Sequence, residues 1–226
     1  MQLPNLNRYS SSYSQLSDGY HVVFNTESMF LYLTDPEYRK VVSHAASLTC
    51  DGIGVAFAYA CRGQRLRRYH GPDLFEDALF DRSRLHVVIG GSDEAQRCLR
   101  EKVARRDPRI EINFYGGKLK QPQLQNIAAS LLKKGNKPMN VYLCLGINKQ
   151  ERAARDFFEA GVRGKIMGVG AAVDFHSGTK KRAAPIWRRL GLEWLPRLVR
   201  EPRMIPRVGR SFVGAAFFIF IGGVEK

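Results

Sequence analysis

Short apolar runs alternate along this chain with longer stretches whose apolar positions recur at helical spacing. The runs HVVFN (21–25), LTC (48–50), LHVVIG (85–90), IEINF (110–114), VYLCLG (141–146) and KIMGVG (165–170) read as buried strands. The stretches between them carry helix start signals. Asp35-Pro36 marks a helix restart, Pro72 sits in the first turn of GPDLFEDALF, and Ser92 precedes two acids at the head of GSDEAQRCLREKVARR. Helices are also expected from about Pro122 to Lys134 and over 149–160. This alternation predicts a Rossmann-like α/β fold, a largely parallel sheet with helices on both faces.

After Gly170 the pattern changes. The stretch HSGTKKRAAPIWRRLGLEWLPRLVREPRMIPRVGR interleaves arginines with Leu and Trp and contains four prolines. It reads as amphipathic helical segments attached to the sheet. The expected division is an α/β core over 1–178 and a basic, Arg/Trp-rich C-terminal appendage over 179–226. The closing run FVGAAFFIFIGGV (212–224) is shorter than the roughly 20 residues of a spanning helix. It is expected to insert shallowly in a membrane or to pack on the core.

Composition narrows the classes. A chain of 226 residues with 44% hydrophobic and 25% charged residues can bury a proper core, as one large domain or one with an appendage. Its 36 Lys and Arg against 21 Asp and Glu leave +15, an excess that attracts polyanions, anionic lipid headgroups or phosphorylated substrates. Cys50, Cys61, Cys98 and Cys144 form no CxxC, and the five histidines show no metal-ligand spacing. Reduced core thiols and no bound metal are therefore expected. The first residues, MQLPNLNRYSSSYSQ, lack the layout of a signal peptide, so a cytoplasmic protein is expected.

Ligands of open α/β sheets bind at the loops that follow the strands. Those loops gather Asn25 and Glu27, Asp51 and Gly52, Gly90 and Gly91, GINKQE from Gly146 to Glu151, and GVGAAVDF with Gly170 and Asp174. Strand-end glycines let backbone approach a phosphate, and helix N-termini offer free N–H groups. GVG does not complete GxGxxG, because Val173 holds the last position, so neither a dinucleotide nor any other cofactor is expected. Two roles fit Asp51, the N-cap of the following helix or a functional carboxylate. Asp174 is expected to pair with Lys181 or Arg182 if it is structural, and Trp187 and Trp194 read as packing anchors.

These stretches together resemble the WecG/TagA/CpsF family, glycosyltransferase family 26, from about Val22 to Arg207. The family's Asn-Pro-Glu after the first strand is similar to Asn25-Thr26-Glu27, and its Asp-Gly-Ile to Asp51-Gly52-Ile53. Its G-x-D-L is similar to Gly71-Pro72-Asp73-Leu74. Its G-S-P-K-Q-E resembles Gly146 to Glu151, with Ile147-Asn148 in place of Ser-Pro. The pattern G-V-G-x-x-x-D-x-x-x-G-x-x-x-R-A-P resembles Gly168 to Pro185 with one extra alanine. The most specific string is GLEWLPRLVREPR, from Gly191 to Arg203.

The resemblance implies a membrane-associated enzyme of bacterial surface polysaccharide synthesis. Such enzymes move a sugar from a UDP-sugar to a lipid-linked diphosphate sugar, with inversion and without a divalent metal. Asp51 matches the family's proposed base. Asn25, Gly52, Asp73, Gly90, Gly91, Gly146, Lys149, Gln150, Glu151, Gly170 and Asp174 are the expected substrate-binding positions, with Lys149 and arginines facing the departing diphosphate. Arg197, Arg203 and Arg207 are expected to reach a donor or acceptor diphosphate from an appendage docked on an anionic inner-membrane surface. Many members carry Thr two residues before the Asn, where this chain has Val23. A homo-oligomer is left open. The rival class, a basic nucleic-acid-binding protein, accounts for the charge, but no recognition-helix or aromatic-plus-basic strand motif supports it, and no nucleic acid is expected.

Overall fold

The computed structural model describes residues 2–117, 119–135, 137–200, 205–221 and 223–224. Arg203 lies outside the described residues, as do the side chains of Arg197 and Arg207.

Six parallel strands form the central sheet: β2 (Gly19–Phe24), β3 (Ser47–Cys50), β4 (Leu85–Gly90), β5 (Ile112–Tyr115), β6 (Met139–Cys144) and β7 (Gly164–Gly168), in the order β3-β2-β7-β6-β4-β5. Two two-residue strands, β1 (Gln2–Leu3) and β8 (Gly223–Val224), pair in parallel outside it. The apolar runs are continuous because both faces of the sheet are covered. Alternate residues feed opposite layers. Val22, Phe24, Val87, Ile89, Val141 and Leu143 pack in one core, and Val23, Val88, Tyr142 and Met167 in the other.

The first face carries α1 (Thr26–Thr34), α2 (Pro36–His44), α3 (Ile53–Ala60), α6 (Gln121–Leu132) and α7 (Lys149–Glu159). The second carries α4 (Gly71–Leu79), α5 (Asp93–Arg106) and α8 (Ala172–Ser177). Asn25 caps α1 by accepting from the N–H groups of Glu27 and Ser28, and Asp35 caps α2 with Pro36 in the first turn. The expected Rossmann-like α/β architecture is the observed one.

Three strands start two residues away from their apolar runs; β2 is one, beginning at Gly19 where the run begins at His21. β5 begins at Ile112, because the Asp107 carboxylate accepts from the N–H of Arg109 and holds the preceding residues in a turn. β6 begins at Met139 and ends at Cys144, where Gly146 turns the chain out of the ladder with φ +84°. The thiols also differ from expectation. All four are free, yet only Cys50 is buried and Cys61 is exposed at the end of α3.

Beyond β7 the chain forms α9 (Pro185–Leu190), α10 (Trp194–Arg200) and α11 (Ile205–Ile221). Helix α11 packs across α1 and α3. The crossing needs Gly214, where a Cβ would lie 2.7 Å from the Phe30 Cβ. Arg210 reaches Glu27 at 3.4 Å, and Arg62 donates to the Ile219 carbonyl. Of the two roles expected for the apolar tail, packing on the core is the one seen. Phe212, Val213 and Phe217 nevertheless stay exposed, as do Ile53 and Phe57 of α3. Among the described residues no helix is long and apolar enough to cross a membrane.

Candidate active site

The carboxyl ends of β2, β3, β4, β6 and β7 open onto a cleft of about 390 Å3. Sheet order explains its place. From β2 the chain runs outward to β3, and from β4 it runs outward to β5, so the following loops diverge and leave a crevice. Asn25, Asp51, Gly52, Gly91, Gly146, Gln150, Gly170 and Asp174 all line it, eight of the expected positions drawn together from loops far apart in sequence.

Asp51 does not cap α3. The residue preceding that helix is Gly52, at φ +93°, and no side chain caps it. The Asp51 carboxylate instead lies 2.7 Å from His70 Nδ1. The hydrogen bond to Asp51 holds the His70 imidazolium above its usual range, against the opposing effect of burial.

On the opposite wall, Gln150 is fixed at both ends of its amide. Its Oε1 accepts from the Gly170 N–H at 3.2 Å, and its Nε2 donates to Glu151 Oε1 at 2.9 Å. Glu151 lies beneath, only 1% exposed, with Oε2 unbonded among the described residues. Burial pushes its carboxyl up to about 7. Glu151 thus orients Gln150 from below and does not itself line the cleft.

Three other expected positions also lie off the lining. The Lys149 ammonium donates to the Leu119 carbonyl. Gly90 serves the backbone, since a Cβ there would lie 2.6 Å from the Cys144 carbonyl oxygen. Asp73 pairs with Arg182 at 2.6 Å; burial alone would raise its carboxyl, yet the Arg182 hydrogen bond and charge hold it below the ordinary range. That pairing also corrects the expected partner of Asp174, which binds Lys180 at 2.7 Å.

Sequence reading did not single out His70 or Glu193 as site residues, and both line the cleft. Glu193 arrives with Gly191 and Trp194 from the segment after β7, which folds back over the opening. Gly191 makes this approach possible at φ +73°, because a Cβ there would lie 2.5 Å from the Ile53 Cβ. Trp194 is both lining and anchor, its ring edge-on to Phe212 with centroids 5.5 Å apart. Val23, Ile147, Val173 and Phe175 make part of the wall apolar. The turn into α7 holds Asn148 at φ +69°, the only non-glycine residue with positive φ among those described. Among the described residues, no three His, Cys, Asp or Glu side chains gather as metal ligands.

This arrangement sets three carboxylates, Asp51, Asp174 and Glu193, and the His70 imidazole around a cleft walled largely by glycine backbone, which suits a polar ligand. The family model described as glycosyl transferase WecG/TagA/CpsF family matches residues 5–223, nearly the whole chain and every wall of the cleft. The chain therefore belongs to the WecG/TagA/CpsF family of glycosyl transferases.

Proposed function

We propose that the protein transfers a sugar from a UDP-sugar to a polyprenyl-diphosphate-linked sugar, with inversion, in bacterial surface or exopolysaccharide synthesis. The donor is of the N-acetylmannosamine, N-acetylmannosaminuronate or glucose type. In this reading the acceptor hydroxyl oxygen bonds to the anomeric carbon as the bond to UDP breaks, its proton passes to Asp51, and UDP leaves with the bonding electrons. The observation that carries the reading is a partly exposed carboxylate at the edge of the strand-end cleft, already oriented by a histidine. With Lys149 turned to Leu119, stabilisation of the departing diphosphate falls to glycine-rich backbone and to arginines of the appendage. Val23 and Ile147 both face the cleft, so discrimination between donors rests on Asn25, Gln150 and the apolar wall.

The appendage gives the enzyme its place in the cell under this reading. Phe57 of α3 and Phe212, Val213 and Phe217 of α11 are exposed on helices that pack together. Arg65 and Arg67 stand exposed on the loop after α3. Apolar side chains framed by arginine suit the headgroup level of the inner leaflet, where a lipid-linked acceptor presents its diphosphate. Because α11 also covers α1 and α3, truncating the appendage would strip the core, and point substitutions test the surface more cleanly.

The deciding experiment incubates the purified protein with UDP-glucose, UDP-N-acetylmannosamine or UDP-N-acetylmannosaminuronate and a polyprenyl-diphosphate-linked sugar. One donor is expected to yield an extended lipid, and absence of transfer from all three overturns this donor assignment. Val213→Asp with Phe217→Asp should weaken binding to phosphatidylglycerol vesicles about tenfold or more, in a salt-sensitive manner. Undiminished binding by the double variant removes α11 from the docking surface.

A further inference from the structure

The segment RRYHGPDLF brings a histidine to Asp51 through a contact 19 residues long in sequence. Arg68 forms an isolated parallel bridge with Cys50, and the Tyr69 N–H donates to the Cys50 carbonyl at 2.8 Å. This pairing carries the chain past the end of β3, so that His70 falls beside Asp51. His70 then precedes α4 with extended backbone, φ −80° and ψ 151°, in the position of a cap, yet its side chain makes no capping bond. Gly71 holds the start of that helix against β7, since a Cβ would sit 3.2 Å from the Val169 carbonyl oxygen. The imidazole is thus placed by backbone pairing on one side and close helix packing on the other, and among the described residues its one hydrogen bond goes to the carboxylate.

An ionised carboxylate only accepts, so Nδ1 is the donor and carries its hydrogen in either charge state of the ring. Nε2 has no hydrogen-bond partner among the described residues and can exchange its proton without breaking the bond to Asp51. From these contacts we infer that His70 is a positioning residue for the transfer reaction: its Nδ1–H fixes Asp51 Oδ1 and leaves Oδ2 turned to the acceptor hydroxyl. This rests on the reading of Asp51 as the base. A base must lie within hydrogen-bond reach of the proton it takes, in a fixed orientation, and a carboxylate at a loop gains that orientation from such a partner.

The ring also has a charge environment that reports on its state. Asp51 faces it from the β3–α3 turn, Asp73 from the first turn of α4, and Glu193 from the segment folded over the cleft. Arg182 and Arg188 lie beyond Asp73, and Arg68 precedes the histidine on its own segment. The acids favour the imidazolium above the ordinary 6.5, with the Asp51 hydrogen bond the largest cause. A cation beside Asp51 weakens it as a base, so turnover rises as Nε2 loses its proton.

Four measurements test the inference, using whichever UDP-sugar of the panel turns over. His70→Ala should lower kcat about tenfold or more while the donor KM changes by less than about threefold. His70→Asn puts an amide N–H where Nδ1 stood and should recover to within about threefold of wild type. His70→Gln puts its amide near Nε2 and should not recover. The wild-type rise in kcat above pH 6.5 should vanish in His70→Asn, whose donor does not titrate. In the free protein, the His70 imidazole followed by nitrogen NMR should titrate lower in Asp51→Asn than in wild type. A His70→Ala enzyme within about twofold of wild type, or Asn and Ala variants equally impaired, overturns the inference. An active Asp51→Asn enzyme sinks the base assignment itself. An inactive Asp51→Asn beside a fully active His70→Ala sinks only the role of His70. If the Ala variant does not fold, the Asn-against-Gln contrast and the NMR titration decide.

Discussion

Asp51 lines the cleft and Glu151 lies beneath it; both carry the same functional group, yet their surroundings divide them. Asp51 ends a strand, keeps 29% of its side chain open to solvent and meets an N–H of His70. Glu151 lies in the first turn of α7, 1% exposed, with a Gln150 amide on one oxygen and nothing on the other among the described residues. Solvent access and a fixed partner suit the first carboxylate to the proton transfer proposed for it. Burial makes the second costly to ionise, so it serves as a prop for Gln150. What separates a candidate base from a structural acid is depth, since chemistry and motif membership are shared.

The comparison breaks most visibly at Asp51. Asp51→Asn keeps size and hydrogen bonding, so turnover should fall about 100-fold or more while stability changes by no more than about 1 kcal/mol. A variant with near-normal turnover and an unaltered melt would place the two carboxylates in the same structural class. The next largest effect lies on the other wall and has a different readout. Glu151 has its proton held in the folded state, with its value raised from 4.5 to about 7. Its contribution to stability is fully present below 4.5 and is lost as pH rises through about 7. Glu151→Gln does not titrate and can still accept from Gln150. It should gain up to roughly 3 kcal/mol over wild type in urea unfolding at about pH 8, and little at about pH 4, with turnover within about threefold. No pH dependence in that difference would mean that the carboxylate is better solvated than its depth implies. The smallest effect expected is none. Since neither carboxylate stands in a cluster of metal-ligand type among the described residues, excess EDTA should leave transfer unchanged, and loss restored by Mg2+ would give Asp51 a different task.

The sheet was legible because strands buried on both faces print as unbroken apolar runs, and LHVVIG marks β4 to the residue. Asn25, Asp51, Gly146 and Gln150 were legible as one site because the α/β pattern places every strand-end loop on one rim. His70 was not. Its partner is set by a one-residue bridge between Arg68 and Cys50, which leaves no periodic trace in the sequence. The place of the Lys149 ammonium was not legible for a related reason: its motif fixes its Cα, while the loop at Leu119 offers the carbonyl to which it donates. The docking of α11 hinges on Gly214 meeting Phe30, a complementarity that hydropathy does not record.

The turn before α7 constrains how this loop has diverged from its relatives. Asn148 stands where the family pattern has proline, and its backbone φ of +69° is one that a pyrrolidine ring, locked near −65°, does not adopt. Its Oδ1 also accepts from Arg152 Nε at 2.7 Å, and Arg152 is tied in turn to Asp35 at 2.8 Å. Residue 148 is therefore coupled to α7 through Arg152 and to the head of α2 through Asp35. Grafting Ser-Pro into these two positions would force the turn into another conformation and strand Arg152. Proline can therefore enter this turn only together with a rearrangement of the Asn148–Arg152–Asp35 contacts that hold it.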